Sequence, residues 1–224
     1  MIRRLEPRVL RALAVVVLLG GGLMALWGAE DSRPRVEGMR ELSYFPNGRM
    51  VRLLAPGHAT AWADLAWFQI VQYYGRHRKT DQDFHMLKHM AGVVSDLDPH
   101  FLGAFRFAGF CLAQEGRDFG GGIEVLNRAI AENPERWEPW FDAGFLYFVV
   151  RRDYPHATYY ISHAARMPGC PDYVRRLAGW VAGKAGYSQT AAAFWLEIYN
   201  HSENPLLRRM AREYLERIAT RGKL

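Results

Sequence analysis

The sequence predicts an all-α chain: a stack of about four helical hairpins, closed by a C-terminal helix. Glycines recur at Gly75, Gly109, Gly144 and Gly179, at intervals of 34, 35 and 35 residues. Each sits in an aromatic or aliphatic run of helical character, such as Trp140-Phe141-Asp142-Ala143-Gly144-Phe145-Leu146-Tyr147. A proline follows each one, at Pro99, Pro134, Pro168 and Pro205. A glycine inside a helix costs about 1 kcal/mol relative to alanine. Four of them at a near-constant interval imply a second helix approaching where no side chain fits. The proline then stops that second helix, having no N–H to give and clashing with the preceding turn.

The elements follow in order. Residues 1–29 are set apart from the rest. Four arginines (Arg3, Arg4, Arg8, Arg11) stand against Glu6, a charge of +3. They precede Ala12 to Ala29, 18 residues without a charge. That length is near the minimum for crossing the hydrocarbon core as a helix. The arginines keep the N-terminal flank in the cytoplasm. Residues 12–29 therefore read as a single-pass transmembrane anchor. In a Gram-negative bacterium this is an inner-membrane anchor with the C-terminal domain in the periplasm. Gly20-Gly21-Gly22 gives the stretch a signal-peptide look, and a cleaved signal is the second reading; a buried soluble helix is the third. No small-x-small cleavage site follows the run, which favours the anchor.

Residues 30–58 read as a linker holding a short β-hairpin. Leu42-Ser43-Tyr44-Phe45 and Met50-Val51-Arg52-Leu53-Leu54 flank an Asn47-Gly48 turn signal. This hairpin is expected to cover the first repeat, as terminal repeats need a cap. The solenoid then spans 59–221, in units of about 60–99, 100–134, 135–170 and 171–205. In the first unit Thr60 caps a helix running to about His77, with Leu65, Phe68, Val71, Gln72 and Gly75 on its inner face. Its partner runs from Asp81 to Asp96, with Phe84, Leu87, Met90 or Ala91, and Val94 inside. The later pairs are Phe101 to Gln114 with Gly121 to Asn133, Glu138 to Val149 with Pro155 to Arg166, and Asp172 to Lys184 with Ser188 to His201. Pro155 suits a first helical turn, where no donor is lost. Pro205 to Thr220 is the capping helix, with Leu206, Met210, Tyr214 or Leu215, and Ile218 facing in.

Residues 60 to 205 resemble tetratricopeptide repeats. The matches are Phe105, Ala108-Gly109, Ala129 and Pro134 in the second unit, and Trp140, Ala143-Gly144, Ala157, Ala164 and Pro168 in the third. The fourth has Ala178-Gly179, Ala191 and Pro205. The first departs most, with Leu87 and Val94 where small residues are usual. The resemblance implies a right-handed superhelix whose first helices line a concave side. The family's groove-facing places fall on Gln72, Arg76 and Lys79, then Arg106, Phe110 and Ala113. They continue with Phe141, Phe145 and Phe148, then Arg176, Trp180 and Gly183. The middle of this surface is aromatic, with arginines at both sides, the residue types that binding hot spots use. It suits a segment of another protein, apolar in the centre with an acidic end. The competing reading is that Phe141, Phe145 and Phe148 pack on neighbouring helices or lie under residues 30–58.

The family's terminal-carboxylate clamp is not supported, since Gln72 and Arg76 stand at two of its places. Net charge is +6, of which +3 belongs to the N-terminal segment, leaving +3, too little to argue for nucleic acid. Cys111 and Cys170 are the only cysteines. An exported chain permits a disulfide, but their places in the stack are well apart, and two unpaired thiols are expected. His85 and His89 are i, i+4 on a helix with no third ligand fixed by spacing. No nucleophile elbow, phosphate loop or haem motif is present, and no cofactor is expected. The chain reads as a non-enzymatic, membrane-tethered adaptor for a membrane or periplasmic protein. A permanent structural subunit and a cleaved secreted binding protein are the alternatives.

Overall fold

The computed structural model describes residues 47–54 and 57–221, with Gly20, Gly21 and Met24 in the N-terminal stretch. The expected anchor otherwise lies outside the described residues, as does the first half of the expected β-hairpin. Among the described residues no helix is long and apolar enough to cross a membrane. The unit Pro46–Leu224 holds ten α-helices stacked mostly against their sequence neighbours. They are α1 (Gly48–Leu54), α2 (Ala59–Lys79), α3 (Leu87–Leu97), α4 (Leu102–Phe110) and α5 (Phe119–Glu132). Then come α6 (Trp137–Leu146), α7 (Tyr154–Ala165), α8 (Asp172–Lys184), α9 (Ser188–His201) and α10 (Pro205–Arg221). Wider π turns extend α4 over Cys111–Glu115 and α6 over Tyr147–Arg151.

Local chemistry sets the helix ends. The Asp118 carboxylate accepts the Gly121 N–H at 2.8 Å and opens α5. Asp153 accepts the His156 N–H at 3.1 Å and opens α7, with Pro155 in the first turn as expected. Left-handed residues turn the chain between the helices of each hairpin: Gln82, Arg117, Arg152 and Gly186, with φ of 57°, 53°, 55° and 81°. Their intervals are 35, 35 and 34. Pro205 differs from the other three prolines, because it opens α10 rather than closing a hairpin.

Three of the four glycines do what the spacing predicts. A Cβ on Gly109 would lie 2.8 Å from Leu126 Cγ. One on Gly144 would lie 2.5 Å from Ile161 Cγ1 and 2.9 Å from the Ile161 backbone nitrogen. One on Gly179 would lie 3.0 Å from Trp195 Nε1. Gly75 is the exception, with nothing within 4 Å of its missing Cβ. Register does not explain this, since Gly75 and Gly179 both stand seven residues before their left-handed turns and Gly109 and Gly144 eight; the neighbour Tyr74 is what differs. Tyr74 stacks on Phe84 at 5.5 Å and meets Phe107 edge-on at 4.9 Å, so the first hairpin is built on rings instead of on clearance.

The expected inner face of α2 is overturned as well. Ala63, Ala66, Ile70, Tyr73 and His77 are buried, whereas Trp62, Leu65, Phe68 and Val71 are exposed, Phe68 by 60%. The small Ala63 and Ala66 let α3 close in, and the Tyr73 hydroxyl donates to the Asp83 carbonyl oxygen. Thr60 lies inside α2 and caps nothing; the N-terminal flank is His58, which makes no side-chain cap. The helix expected from Asp81 starts at Leu87. Before it, Gln82 is left-handed and the Asp81 carboxylate accepts the Asp83 N–H. Phe84, Leu87, Met90, Ala91 and Val94 are buried as expected.

The β-hairpin is also overturned, because Met50 to Leu54, read as its second strand, is helical. Asn47 acts at a helix start, its Oδ1 accepting the Arg49 N–H at 2.9 Å. Gly48 provides close approach: its missing Cβ would lie 2.7 Å from the Val93 carbonyl oxygen of α3. The end of the first hairpin is thus met by a helix rather than by strands. On α10 Tyr214, Leu215 and Ile218 pack inward as expected, whereas Leu206 and Met210 are exposed and Leu207 and Ala211 take their places. Tyr214 stacks on Trp195 at 4.3 Å, with ring planes 2° apart.

Both cysteines are free and buried. Burial pushes the Cys111 thiol up to about 12 and the Cys170 thiol up to about 11. Little thiolate, the reactive form, exists in either at neutral pH.

Two outcomes test this account. Gly144→Ala should lower unfolding free energy by about 1–3 kcal/mol through overpacking against Ile161, while Gly75→Ala should raise it by roughly 0.5–1 kcal/mol by removing helix-interior glycine; urea denaturation of the two variants reads the contrast. Maleimide labelling at pH 7.5 should leave both thiols unmodified in the folded chain and modify both in denaturant.

Candidate functional site

The expected surface is built from α4, α6 and α8 with their π turns. Phe110 meets Phe145 at 6.3 Å between ring centroids. Phe145 stacks on Phe141 at 5.7 Å and meets Phe148 edge-on at 6.2 Å. Phe148 meets Trp180 edge-on at 5.5 Å. All five rings are half-buried. The structure therefore joins Phe110, Phe141, Phe145, Phe148 and Trp180 into one chain of ring contacts over three hairpins. Each such pair contributes roughly 0.5–1.5 kcal/mol beyond the area it buries. Both readings of these residues draw on this geometry, since each ring packs on a neighbour and keeps an open side.

The helix period explains the arrangement. Phe141, Phe145 and Phe148 follow one another at steps of four and three, so they share a stripe. Ala143 and Leu146 on the opposite stripe are wholly buried, and Gly144 takes the close contact with α7. Large rings are thereby held at the edge of the core.

The arginines are placed differently from one another. Arg106 is not left for a ligand: its guanidinium makes a two-pronged ion pair with Asp142, one arm being Nη2 to Oδ1 at 3.1 Å. Asp142 is 1% exposed. Burial pushes its carboxyl above the usual carboxylate range, and the Arg106 guanidinium pulls it back down. The partner carboxylate raises Arg106 further, which stays charged. Arg176 is half-buried and lines a separate cleft of about 200 Å³ with Asp172, Arg175, Glu197, His201 and Leu207 among its walls. Arg76 is exposed in the last turn of α2. The first hairpin meets the second through Trp67 and Tyr74, which contact Phe107 at 5.3 and 4.9 Å, while Gln72, Arg76 and Lys79 are exposed. Ala113 and Gly183 are buried and offer backbone more than side chain.

Sequence reasoning missed several members. Tyr173 meets Phe141 edge-on at 5.7 Å and widens the ring chain toward Trp137. It lies one turn before Leu177 on the same helix as Trp180. Asp142 was legible in principle, as a lone acid amid an apolar helix stretch needs a charged or polar partner. A cleft of about 370 Å³ between α8 and α10 is lined by Gly179, Trp180, Gly183, Lys184, Tyr214 and Arg217. Periodicity already set Tyr214 on the inner face of α10, but not which helix it would meet. Among the described residues no His, Cys, Asp and Glu side chains gather in a group fit to hold a metal ion. His85 instead sits 2.9 Å from Asp83. No family model matches this chain, and neither does any curated protein.

The Arg106–Asp142 pair gives a pH-dependent outcome. Arg106→Met removes the pull that keeps the buried carboxylate ionised. The variant should lose about 1–3 kcal/mol at pH 7, discounted for the half-exposed guanidinium. A raised folded-state pKa is harmless below the unfolded value and costs more as pH rises through the folded one. The deficit against wild type should therefore shrink toward pH 4, which parallel urea titrations at the two pH values would read.

Proposed function

We propose that the chain is a non-catalytic, membrane-tethered adaptor of tetratricopeptide type. In this reading residues 12–29 hold it in a bacterial inner membrane, and the hairpin stack presents its aromatic surface to a protein segment on the periplasmic side. The adaptor then helps assemble or steady a larger envelope or membrane complex. The observation that carries the reading is the half-buried ring chain from Phe110 to Trp180, continuous over three hairpins. Rings that already contact one another lose little freedom when a partner covers them. Aromatic side chains with fixed rotamers are the usual anchors of an interface. Tethering supports it as well, because it raises the local concentration of neighbours and lets a weak surface suffice.

A second reading, a permanent structural subunit, is favoured by a different surface. Trp62, Leu65, Phe68 and Val71 line one side of α2, and Met50, Leu53 and Leu54 stand out from α1, with Leu53 exposed by 80%. Clustered exposed apolar side chains of this size mark an interaction surface. In the subunit reading they are covered throughout the life of the complex.

The two readings separate in one experiment. The full-length chain and its Phe145→Ala and Trp180→Ala variants are crosslinked in native membranes, and the captured proteins are compared. Under the adaptor reading either variant should lose at least about tenfold in capture, equivalent to roughly 1.4 kcal/mol, while circular dichroism stays unchanged. Capture indifferent to both changes but abolished by Phe68→Asp would replace the adaptor with the subunit.

A further inference from the structure

The cleft between α8 and α10 has a donor-rich construction that the ring chain lacks. Its six lining residues hold two cations, two aromatic rings and two glycines, with no acid. The Lys184 ammonium lies over the Trp180 ring, 5.2 Å from its centroid. The Arg217 guanidinium lies over the Tyr214 ring at 4.7 Å. Both cations are on exposed side chains at the rim. The one acid beside them is Glu213, 3.8 Å from Arg217 on the solvent side of α10, in a pair whose side chains are both about half exposed.

Behind this cleft stands an unpartnered donor. Trp195 is 2% exposed and stacks flat on Tyr214, one of the lining residues. Its indole Nε1 has no acceptor among the described residues. A buried N–H left unpaired costs roughly 1–3 kcal/mol and calls for an explanation. The same nitrogen is the atom nearest to where a Cβ on Gly179 would sit, at 3.0 Å. Gly179 lines the cleft, so its missing side chain admits α9 and leaves the indole N–H directly behind the cleft wall.

Two cations, one orphan N–H and no acid are the complement of an anion. The flat walls of Trp180 and Tyr214 add an apolar requirement. A volume of about 370 Å³ lies in the range that small ligands and peptide side chains fill. Exposed cation–π contacts are weak, so a carboxylate that engages both cations at once can draw them off their rings. We propose that this cleft binds a peptide carboxylate set next to an aromatic or aliphatic side chain. Lys184 and Arg217 supply the counter-charge, Trp180 and Tyr214 the walls, and the Trp195 N–H, directly behind Gly179, the unpaired donor nearest the bound group. The site deepens the adaptor reading, on which its physiological occupant depends, by seating the acidic end of the bound segment beside the ring chain through Trp180.

Three short peptides test it: acetyl-Gly-Ala-Phe with a free carboxylate, the same peptide as its amide, and acetyl-Gly-Glu-Phe-Gly-amide with an internal acid. Each is titrated into the ¹⁵N-labelled chain while the Trp195 indole N–H resonance, assigned with Trp195→Phe, is followed. One or both acidic peptides should move that resonance downfield, and the neutral amide should not. Response to the first peptide alone identifies a chain end as the source of the carboxylate, and response to the third identifies a side chain. Lys184→Gln with Arg217→Gln, both exposed and harmless to the fold, should weaken the response about tenfold. A silent resonance with both acids overturns the proposal. So does equal binding of the neutral amide, or binding unaltered in the double variant. A peptide response with partner capture untouched by Phe145→Ala and Trp180→Ala sinks the adaptor reading alone. The reverse result sinks the carboxylate site alone.

Discussion

Steric clearance between paired helices is the constraint on which the stack depends. At Gly109, Gly144 and Gly179 the second helix of the hairpin comes so near that even a methyl group would collide with it. Each glycine gives up helix propensity, and tight contact along the whole crossing offsets that loss. The close side of each first helix is therefore small-residue territory: Ala108 and Gly109, Ala143 and Gly144, Ala178 and Gly179, all buried. Bulky side chains have to go elsewhere, and they go to the edge.

The aromatic edge follows from that exclusion. Phe110, Phe141, Phe145, Phe148 and Trp180 are half-buried because the core beside them is already closed by glycine and alanine. Charge obeys the same geometry. Asp142 falls on the buried side of α6 and draws Arg106 out of the solvent, which turns an arginine that looked available for a ligand into a clamp between the second and third hairpins. After the fourth hairpin α10 packs on α9 through Tyr214 on Trp195. The cleft at Gly179 is left between α8 and α10.

Much of this was legible in the sequence. With the π turns counted in their helices, every expected helix end but Asp81 lies within about two residues of the observed one, because glycine, proline and aspartate act locally at turns and caps. The last three hairpins were legible because their glycines share one job. The first was not. Gly75 carries the same letter as its counterparts but meets no second helix, and the rings around Tyr74 hold the hairpin instead. The inner face of α2 is carried by Ala63, Ala66, Ile70 and Tyr73, and not by the larger apolar residues beside them. Asn47-Gly48 misled for a related reason. The pair fits a hairpin turn by local preference, yet here the glycine is needed for contact with Val93 and the asparagine opens a helix. Long-range contact decided between two uses of the same dipeptide. The Arg106–Asp142 pair and the cleft beneath α10 depend on which helices become neighbours, and no window of sequence contains that information.

The stacking of elements mostly on their sequence neighbours has a kinetic corollary. Contacts formed between segments close along the chain need little loop closure, so such an architecture folds quickly for its size. Cooperativity in a linear array is carried from one hairpin to the next, and segments with fewer packed neighbours open first. The middle hairpins, locked by Arg106 on Asp142 and by the rings of α6, form the slowest-opening segment, with α10 fraying ahead of them. Hydrogen exchange along the chain would thus be graded by distance from α6 rather than uniform.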